Sequence, residues 1–326
     1  MDDIGYATRV MYNARDLIGT VAPRLRALIG AVGRPVDLTV SQAAHWFAFA
    51  TDFRPDVIIE LGRDEGNSTA AFTEVANQLG NTVVKSFCKT RGWPKKDAVA
   101  AVVGGESWFK PLELYTADIT QVDFLPHVRD ARRVLLLWDA HGFGVSDAVL
   151  GRLLPMLAEK EHWVICHDIS DNRVCDLERS YSGRPSWRGM GDYYDHMGAP
   201  EERARVNLFW VNTIVDQAIP ILDFCWRNRI EFRSADYDYH QAAVSHPDVT
   251  RAIRETWPRD LFQECNHWAY FSLNESRGEK YFPTPATKPA WKPQGDITGE
   301  LESVYNSLSW KVTAPLRRLG RLLGMP

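Results

Sequence analysis

Short continuous apolar runs alternate along the chain with longer stretches of helical spacing. Val57-Ile58-Ile59-Glu60-Leu61 has no wet side, which predicts a strand buried on both faces of a parallel sheet. Residues 82–88, 112–118, 132–139 and 162–168 predict further strands. Between them, helical spacing through Ala70, Phe72, Val75 and Leu79, over 96–103, and through Val145, Leu150, Leu153 and Leu157 predicts connecting helices. This order predicts an α/β fold. Upstream, residues 1–34 carry Val10, Leu17, Val21, Leu25, Leu28 and Ile29 at helical intervals, and Pro35 ends that region. Ser41 is expected to cap a second helix through Trp46, Phe47 and Phe49, in which His45 is a packed or surface histidine.

Residues 169–208 break the rhythm with glycines and aromatics such as Gly189, Gly191, Tyr193 and Tyr194, as a substrate loop or lid would. Beyond them a helix over 211–227, kinked at Pro220, a strand at 230–234, a short helix over 257–264 and a last strand at 267–273 are expected. The organisation is therefore a helical region 1–52, a domain 53–275 with the insertion 169–208, a proline-rich linker 276–298 and a tail 299–326. In the tail Trp310, Val312, Leu316, Leu319 and Leu322 alternate with Lys311, Arg317, Arg318 and Arg321, a basic amphipathic pattern that suits an anionic membrane surface or a docking partner.

Composition narrows the picture further. The 326 residues carry a net charge of −4, which gives no reason to expect nucleic-acid binding. The five cysteines form no CxxC pair and are odd in number, which fits a reducing cytoplasm rather than a disulfide framework. Asp2 and Asp3 are not the start of a secretory signal, and no apolar run reaches the roughly 18–20 residues of a spanning helix. The expected location is the cytoplasm, peripheral to the membrane through 299–326; a homo-oligomer is compatible with the pattern. Twelve tryptophans are many for this length, and core packing accounts for most of them.

The candidate chemistry gathers at strand ends. After the first strand, Glu60-Leu61-Gly62-Arg63-Asp64-Glu65-Gly66-Asn67-Ser68-Thr69 is a strand, a glycine loop and a helix start. Gly62 and Gly66 are expected to admit a ligand to the backbone, and Ser68 and Thr69 to cap the helix. It is neither the three-glycine dinucleotide pattern nor a phosphate loop, since no Gly-Lys-Ser/Thr follows. Asp118, Asp139 and Asp168 end later strands, so with Glu60 they share the carboxyl rim where open α/β sheets bind ligands.

The motif Glu-x-Gly-x-x-x-Gly-x-Ser resembles the first motif of class I S-adenosylmethionine-dependent methyltransferases, and over 57–273 the order of elements resembles that whole domain. The strand-end pattern is most similar to metal-dependent sugar O-methyltransferases and their cephalosporin-hydroxylase-like relatives. The resemblance implies a Rossmann-like, mostly parallel sheet with an antiparallel last strand. It implies S-adenosylmethionine held by Glu60, Gly62, Asp64, Gly66, Ser68 and Asp118. It also implies Mg²⁺ or another divalent cation on Asp139 and Asp168, with His167 where the family has a further acid. His141 or His167 is then the catalytic base. The family's ribose-binding acid has no counterpart, because the second strand ends in Cys88-Lys89-Thr90.

The tail run Ser307-Leu308-Ser309-Trp310-Lys311-Val312-Thr313-Ala314-Pro315-Leu316-Arg317 resembles tails of bacterial surface-polysaccharide glycosyltransferases and their accessory enzymes. The acceptor this implies is a sugar or glycan. Two other readings remain. One is a metal-dependent glycosyltransferase using Asp139-Ala140-His141 on a nucleotide sugar. The other is a non-catalytic assembly subunit on a methyltransferase fold.

Overall fold

The computed structural model describes residues 3–33, 38–140, 143–167, 217–264 and 268–284. The expected insertion 169–208 and the tail 299–326 lie outside the described residues, as does most of the linker. The chain divides into two compact units, Met1–Pro285 and Ala286–Pro326. The N-terminal helices thus belong to the same unit as the sheet.

Three helices open the chain: α1 (Tyr6–Asn13), α2 (Arg15–Val32) and α3 (Val40–Phe53). An alternation follows: β1 (Val57–Leu61), α4 (Asn67–Leu79), β2 (Val83–Cys88), α5 (Lys96–Val103) and β3 (Leu112–Thr116). After a 3-10 turn at Ile119–Gln121 come α6 (Leu125–Val128), β4 (Arg133–Trp138) and α7 (Phe143–Ala148). A π-helical stretch, Val149–Leu153, joins α7 to α8 (Leu154–Leu157), which leads to β5 (Glu161–His167). The second half has α9 (Ile219–Asn228), β6 (Arg233–Ser234), α10 (Ala235–Ser245), α11 (Pro247–Thr256) and β7 (Trp268–Phe271).

The sheet order is β3-β2-β1-β4-β5-β7-β6. Strands β1 to β5 pair in parallel, and β7 lies antiparallel to both β5 and β6. This is the α/β fold that the sequence pattern predicts, with the mostly parallel sheet and antiparallel last strand that the resemblance implies. Because β1 sits between β2 and β4, the chain leaves it first to one side and then to the other. The carboxyl ends of β1 and β4 therefore form the switch point where such sheets bind ligands.

Strand alternation sorts side chains onto two helical layers. Ile58, Leu135, Leu137 and Ile165 join Trp46, Phe49 and Phe72 in one core. Ile59, Leu61, Leu136, Trp138 and Cys166 join Val149, Leu153 and Phe224 in the other. Each fully buried aliphatic side chain contributes about 1.5–3 kcal/mol, so the continuous apolar runs are what place the strands centrally. The same alternation turns Glu60 and His167 toward the layer built by α3 and α4.

Several local expectations change. Thr39, not Ser41, caps α3; its hydroxyl accepts from Gln42 N–H while the Gln42 side chain accepts from Thr39 N–H. That capping box is written in the sequence as Thr-x-x-Gln, three residues being the spacing it needs. Pro220 stands in the first turn of α9, where a missing N–H costs nothing. No helix covers 257–264, which is turn and bend, while α10 and α11 precede it. Helix α10 carries little apolar periodicity in Asp236-Tyr237-Asp238-Tyr239-His240-Gln241, so its pattern is weak. Among the described residues no helix is long and apolar enough to cross a membrane.

Candidate functional site

The switch point is tight. Gly62 follows β1 with φ +94°, and a Cβ placed on it would lie 2.3 Å from the Asp139 carbonyl oxygen. Asp139 N–H donates to Leu61 O at 2.9 Å, and Gly62 N–H to Phe87 O at 3.0 Å. The loop is thereby tied to both neighbouring strands. Gly62 is required by the approach of β4, and the space its missing side chain leaves is filled by the protein's own backbone.

Beneath the loop lies a buried polar network. Register places Glu60 opposite Ser86. The Glu60 carboxylate accepts from Ser68 Oγ at 2.5 Å, from Thr69 Oγ1 at 2.7 Å and from Ser86 Oγ. Burial pushes its carboxyl pKa up, against the hydrogen bonds of Ser68, Ser86 and Thr69 and the charge of Arg63. Arg63 is itself buried. It donates to Ser86 Oγ at 2.9 Å and Ser86 O at 3.1 Å, then to Thr90 O at 3.1 Å and Gly92 O at 2.7 Å. Glu60 and Ser68, expected to meet the cofactor, are instead spent on each other. Ser68 and Thr69 do not cap α4, whose N-cap is Gly66 without a side-chain cap. Hydroxyls one turn into a helix can reach a carboxylate on the preceding strand, and a buried acid without such donors is costly.

Gly66 is likewise occupied. Its φ is +95°, and an added Cβ would lie 2.2 Å from Trp93 Nε1, which donates to Glu65 O at 2.7 Å. Lys95 Nζ pairs with Glu65 at 3.4 Å. The segment after β2 is thus strapped over the glycine loop by Arg63, Trp93 and Lys95. Trp93 packs with Leu28, Ala70 and Phe109, so Gly66 serves that packing. Asp64 stands exposed at the loop tip with φ 41°, a left-handed conformation that aspartate tolerates.

Cys88 takes the position of the missing acid at the end of β2. Thr90 N–H donates to its sulfur at 3.4 Å. Burial opposes ionisation, but hydrogen bonds from Thr90 and from the Arg63 and Asp64 backbone outweigh it and hold the thiol below its ordinary value. Asp118 is the N-cap of the Ile119–Gln121 turn, accepting from Thr120 N–H at 3.0 Å and Thr120 Oγ1 at 2.8 Å, and it pairs with Lys89 at 3.0 Å. Burial raises its pKa, yet the Thr120 and Lys89 contacts leave it lowered.

The rim's clearest functional geometry joins β4, β5 and α3. His167 Nδ1 and Asp139 Oδ1 are 2.9 Å apart, and His167 Nε2 is 3.2 Å from Gln42 Nε2. The His167 side chain is 5% exposed and that of Asp139 24% exposed, so Asp139 is the member that reaches solvent. Trp46 stands edge-on to the imidazole at 5.3 Å and 87°. Both ring nitrogens of His167, an expected base, are in these contacts. Its neighbour Asp168 and the alternative base His141 lie outside the described residues. Among the described residues no three His, Cys, Asp or Glu side chains are grouped to hold a metal ion. Asp139 and His167 face one another, and of the expected metal pair only Asp139 belongs to the described residues.

Whether a methyl donor fits depends on the loop and the rim together. The positive-φ turns at Gly62 and Asp64 and the acid just past β4 suit a donor laid across the switch point. Cys88 departs from that pattern at the ribose position. Among the described residues, three depressions lie away from the switch point: one at Gln121, Arg152 and Met156, one at Arg9, Trp163 and Asp238, and one at Arg229 and Arg277. Gln42, Arg63, Ser86 and Trp93 escaped the sequence reading. Of these only Gln42 had a local signal, the capping-box spacing.

No family model matches the chain, and no curated protein matches it in sequence. Among solved structures the chain is similar to an apo structure of CmcI at 16% identity, over 54% of this chain and 61% of that one, with a TM-score of 0.32. The chain thus spans less than two thirds of CmcI's length. It is similar to the SAH-bound Podospora anserina methyltransferase PaMTH1 at 14% identity, over 66% and 88% of the two chains, with a TM-score of 0.36. It is also similar to a cyclopropane-fatty-acyl-phospholipid synthase-like protein from Lactobacillus casei at 14% identity, over 76% and 97%, with a TM-score of 0.37. At these values the likenesses decide nothing about ligand or reaction.

Proposed function

We propose that the chain is an S-adenosylmethionine-dependent O-methyltransferase whose acceptor is a sugar hydroxyl in surface-glycan assembly. One observation carries the reading. At the switch point of a β3-β2-β1-β4-β5-β7-β6 sheet, directly beside Gly62, stands Asp139 with its Oδ1 held by His167 at 2.9 Å. The sugar acceptor is supported by the resemblance of the strand-end pattern to sugar O-methyltransferases and by that of the tail.

S-adenosylmethionine, when bound, supplies a methyl group on a positively charged sulfur. In this reading the backbone of Gly62 to Asp64 holds it, with Asp118 just past β3, two strands away from β1. Asp139 is placed to orient the acceptor hydroxyl and take its proton, its carboxylate kept in one rotamer by the His167 N–H. His141, two residues further along, is the second group able to take that proton.

Methyl transfer from labelled donor to a panel of sugar acceptors tests the reading. Asp139→Asn is expected to lower turnover by about a hundredfold or more at unchanged donor binding; unchanged turnover contradicts it. The non-catalytic reading is favoured by one observation, Cys88 in place of the ribose acid. It predicts that neither S-adenosylhomocysteine nor a nucleotide sugar binds.

A further inference from the structure

Gln42 belongs to the first turn of α3, in the N-terminal helical region, yet its side chain reaches the carboxyl end of β5. Its amide has only one possible orientation there. Thr39 N–H is 2.9 Å from one side-chain atom of Gln42, and a backbone N–H can only donate, so that atom is the oxygen. The amide nitrogen is left facing His167 Nε2 at 3.2 Å. An amide nitrogen also only donates, so His167 Nε2 must accept and carries no proton. A neutral imidazole then holds its proton on Nδ1, 2.9 Å from Asp139 Oδ1.

We propose that Gln42 is a positioning residue for the rim acid: through the α3 capping box it fixes His167 as the Nδ1-protonated tautomer, with that N–H aimed at Asp139. The relay runs in one direction, from Thr39 N–H to Gln42, from Gln42 to His167, and from His167 to Asp139. Reversal of the ring would set its carbons against Gln42 and Asp139, and the loss of both contacts opposes it. The consequence for catalysis rests on the methyltransferase reading; the tautomer assignment does not.

The test is a long-range ¹H–¹⁵N spectrum of the full chain with imidazole-labelled histidines, at about pH 8, where an ordinary histidine is neutral. The His167 signals are identified by their loss in His167→Gln. The wild-type ring is expected to show its proton on Nδ1 and a bare, hydrogen-bonded Nε2. Gln42→Glu presents only acceptors to Nε2 while Asp139 still accepts at Nδ1, and the ring is expected to gain a proton on Nε2 as well. A wild-type proton on Nε2, or a Gln42→Glu spectrum identical to wild type, overturns the proposal.

Gln42→Met keeps the buried volume should the charged variant fail to fold. Its His167 Nε2 resonance is expected to move to that of an unbonded nitrogen, and an unmoved resonance overturns the proposal. In a methyl-transfer assay Gln42→Met is expected to lower kcat about tenfold with KM unchanged; kcat equal to wild type contradicts the positioning role. A wild-type chain that transfers no methyl group overturns the reaction reading alone, since the spectra decide the tautomer independently.

Discussion

A Cβ on Gly62 would stand 2.3 Å from the carbonyl oxygen of Asp139. No side chain rotation relieves that contact, because the obstacle is backbone just past the end of β4. Gly62 also has φ +94°, outside the range L-residues favour. Gly62→Ala is therefore expected to destabilise the fold by about 2–5 kcal/mol, combining left-handed strain with overpacking. Urea unfolding measures this; a loss under about 0.5 kcal/mol contradicts the packing described.

Arg63 is expected to hold the segment after β2 more than it serves any ligand. Its donors reach Thr90 O and Gly92 O, on either side of Arg91. Arg63→Met leaves those carbonyls and the Ser86 hydroxyl without their charged donor, at a cost of about 2–4 kcal/mol. Trypsin should then cut after Lys89 and Arg91 at least several times faster than in wild type. Equal cleavage rates contradict the strap.

Two buried histidines set an acid limit to stability. Burial lowers His162 to about 4 and His45 to about 3, from an ordinary 6.5. His162 is held neutral between Lys160 O at 2.9 Å and the Leu273 N–H at 3.1 Å. The folded values are depressed, so the unfolded chain binds the extra protons. Stability is full above about pH 6.5 and falls as pH drops toward 4 for His162 and toward 3 for His45. Each contributes a slope of about 1.4 kcal/mol per pH unit in that window. The unfolding free energy of His162→Gln should show a shallower acid limb by that amount; parallel limbs contradict it.

The strand frame was legible in the chain because continuous apolar runs and strand-end acids are local patterns. The strands at 83–88, 112–116 and 133–138 fall within a few residues of where the pattern places them. What Ser68, Thr69, Gly66 and Trp93 do was not legible. Ser68 and Thr69 look like caps from their place at a helix start, but their partner is Glu60, across a loop. Gly66 looks like a ligand gap, but Trp93, 27 positions away by number, fills it. Such pairings are decided by register between strands and by which face a residue takes, not by neighbours in sequence.

The tail 299–326 carries the membrane proposal on its own. Deleting it is expected to release the protein from anionic liposomes at unchanged donor binding, because the basic amphipathic pattern lies entirely within it. A truncated chain that still sediments with liposomes contradicts the anchor.

Calorimetric titration of the full chain with S-adenosylhomocysteine tests the central claim, a methyl-donor site at the switch point of β1 and β4. One site of roughly micromolar affinity, about 8 kcal/mol of binding free energy, is expected and should be retained in Asp139→Asn. Absence of binding heat across several temperatures, or saturable binding of a nucleotide sugar instead, contradicts it.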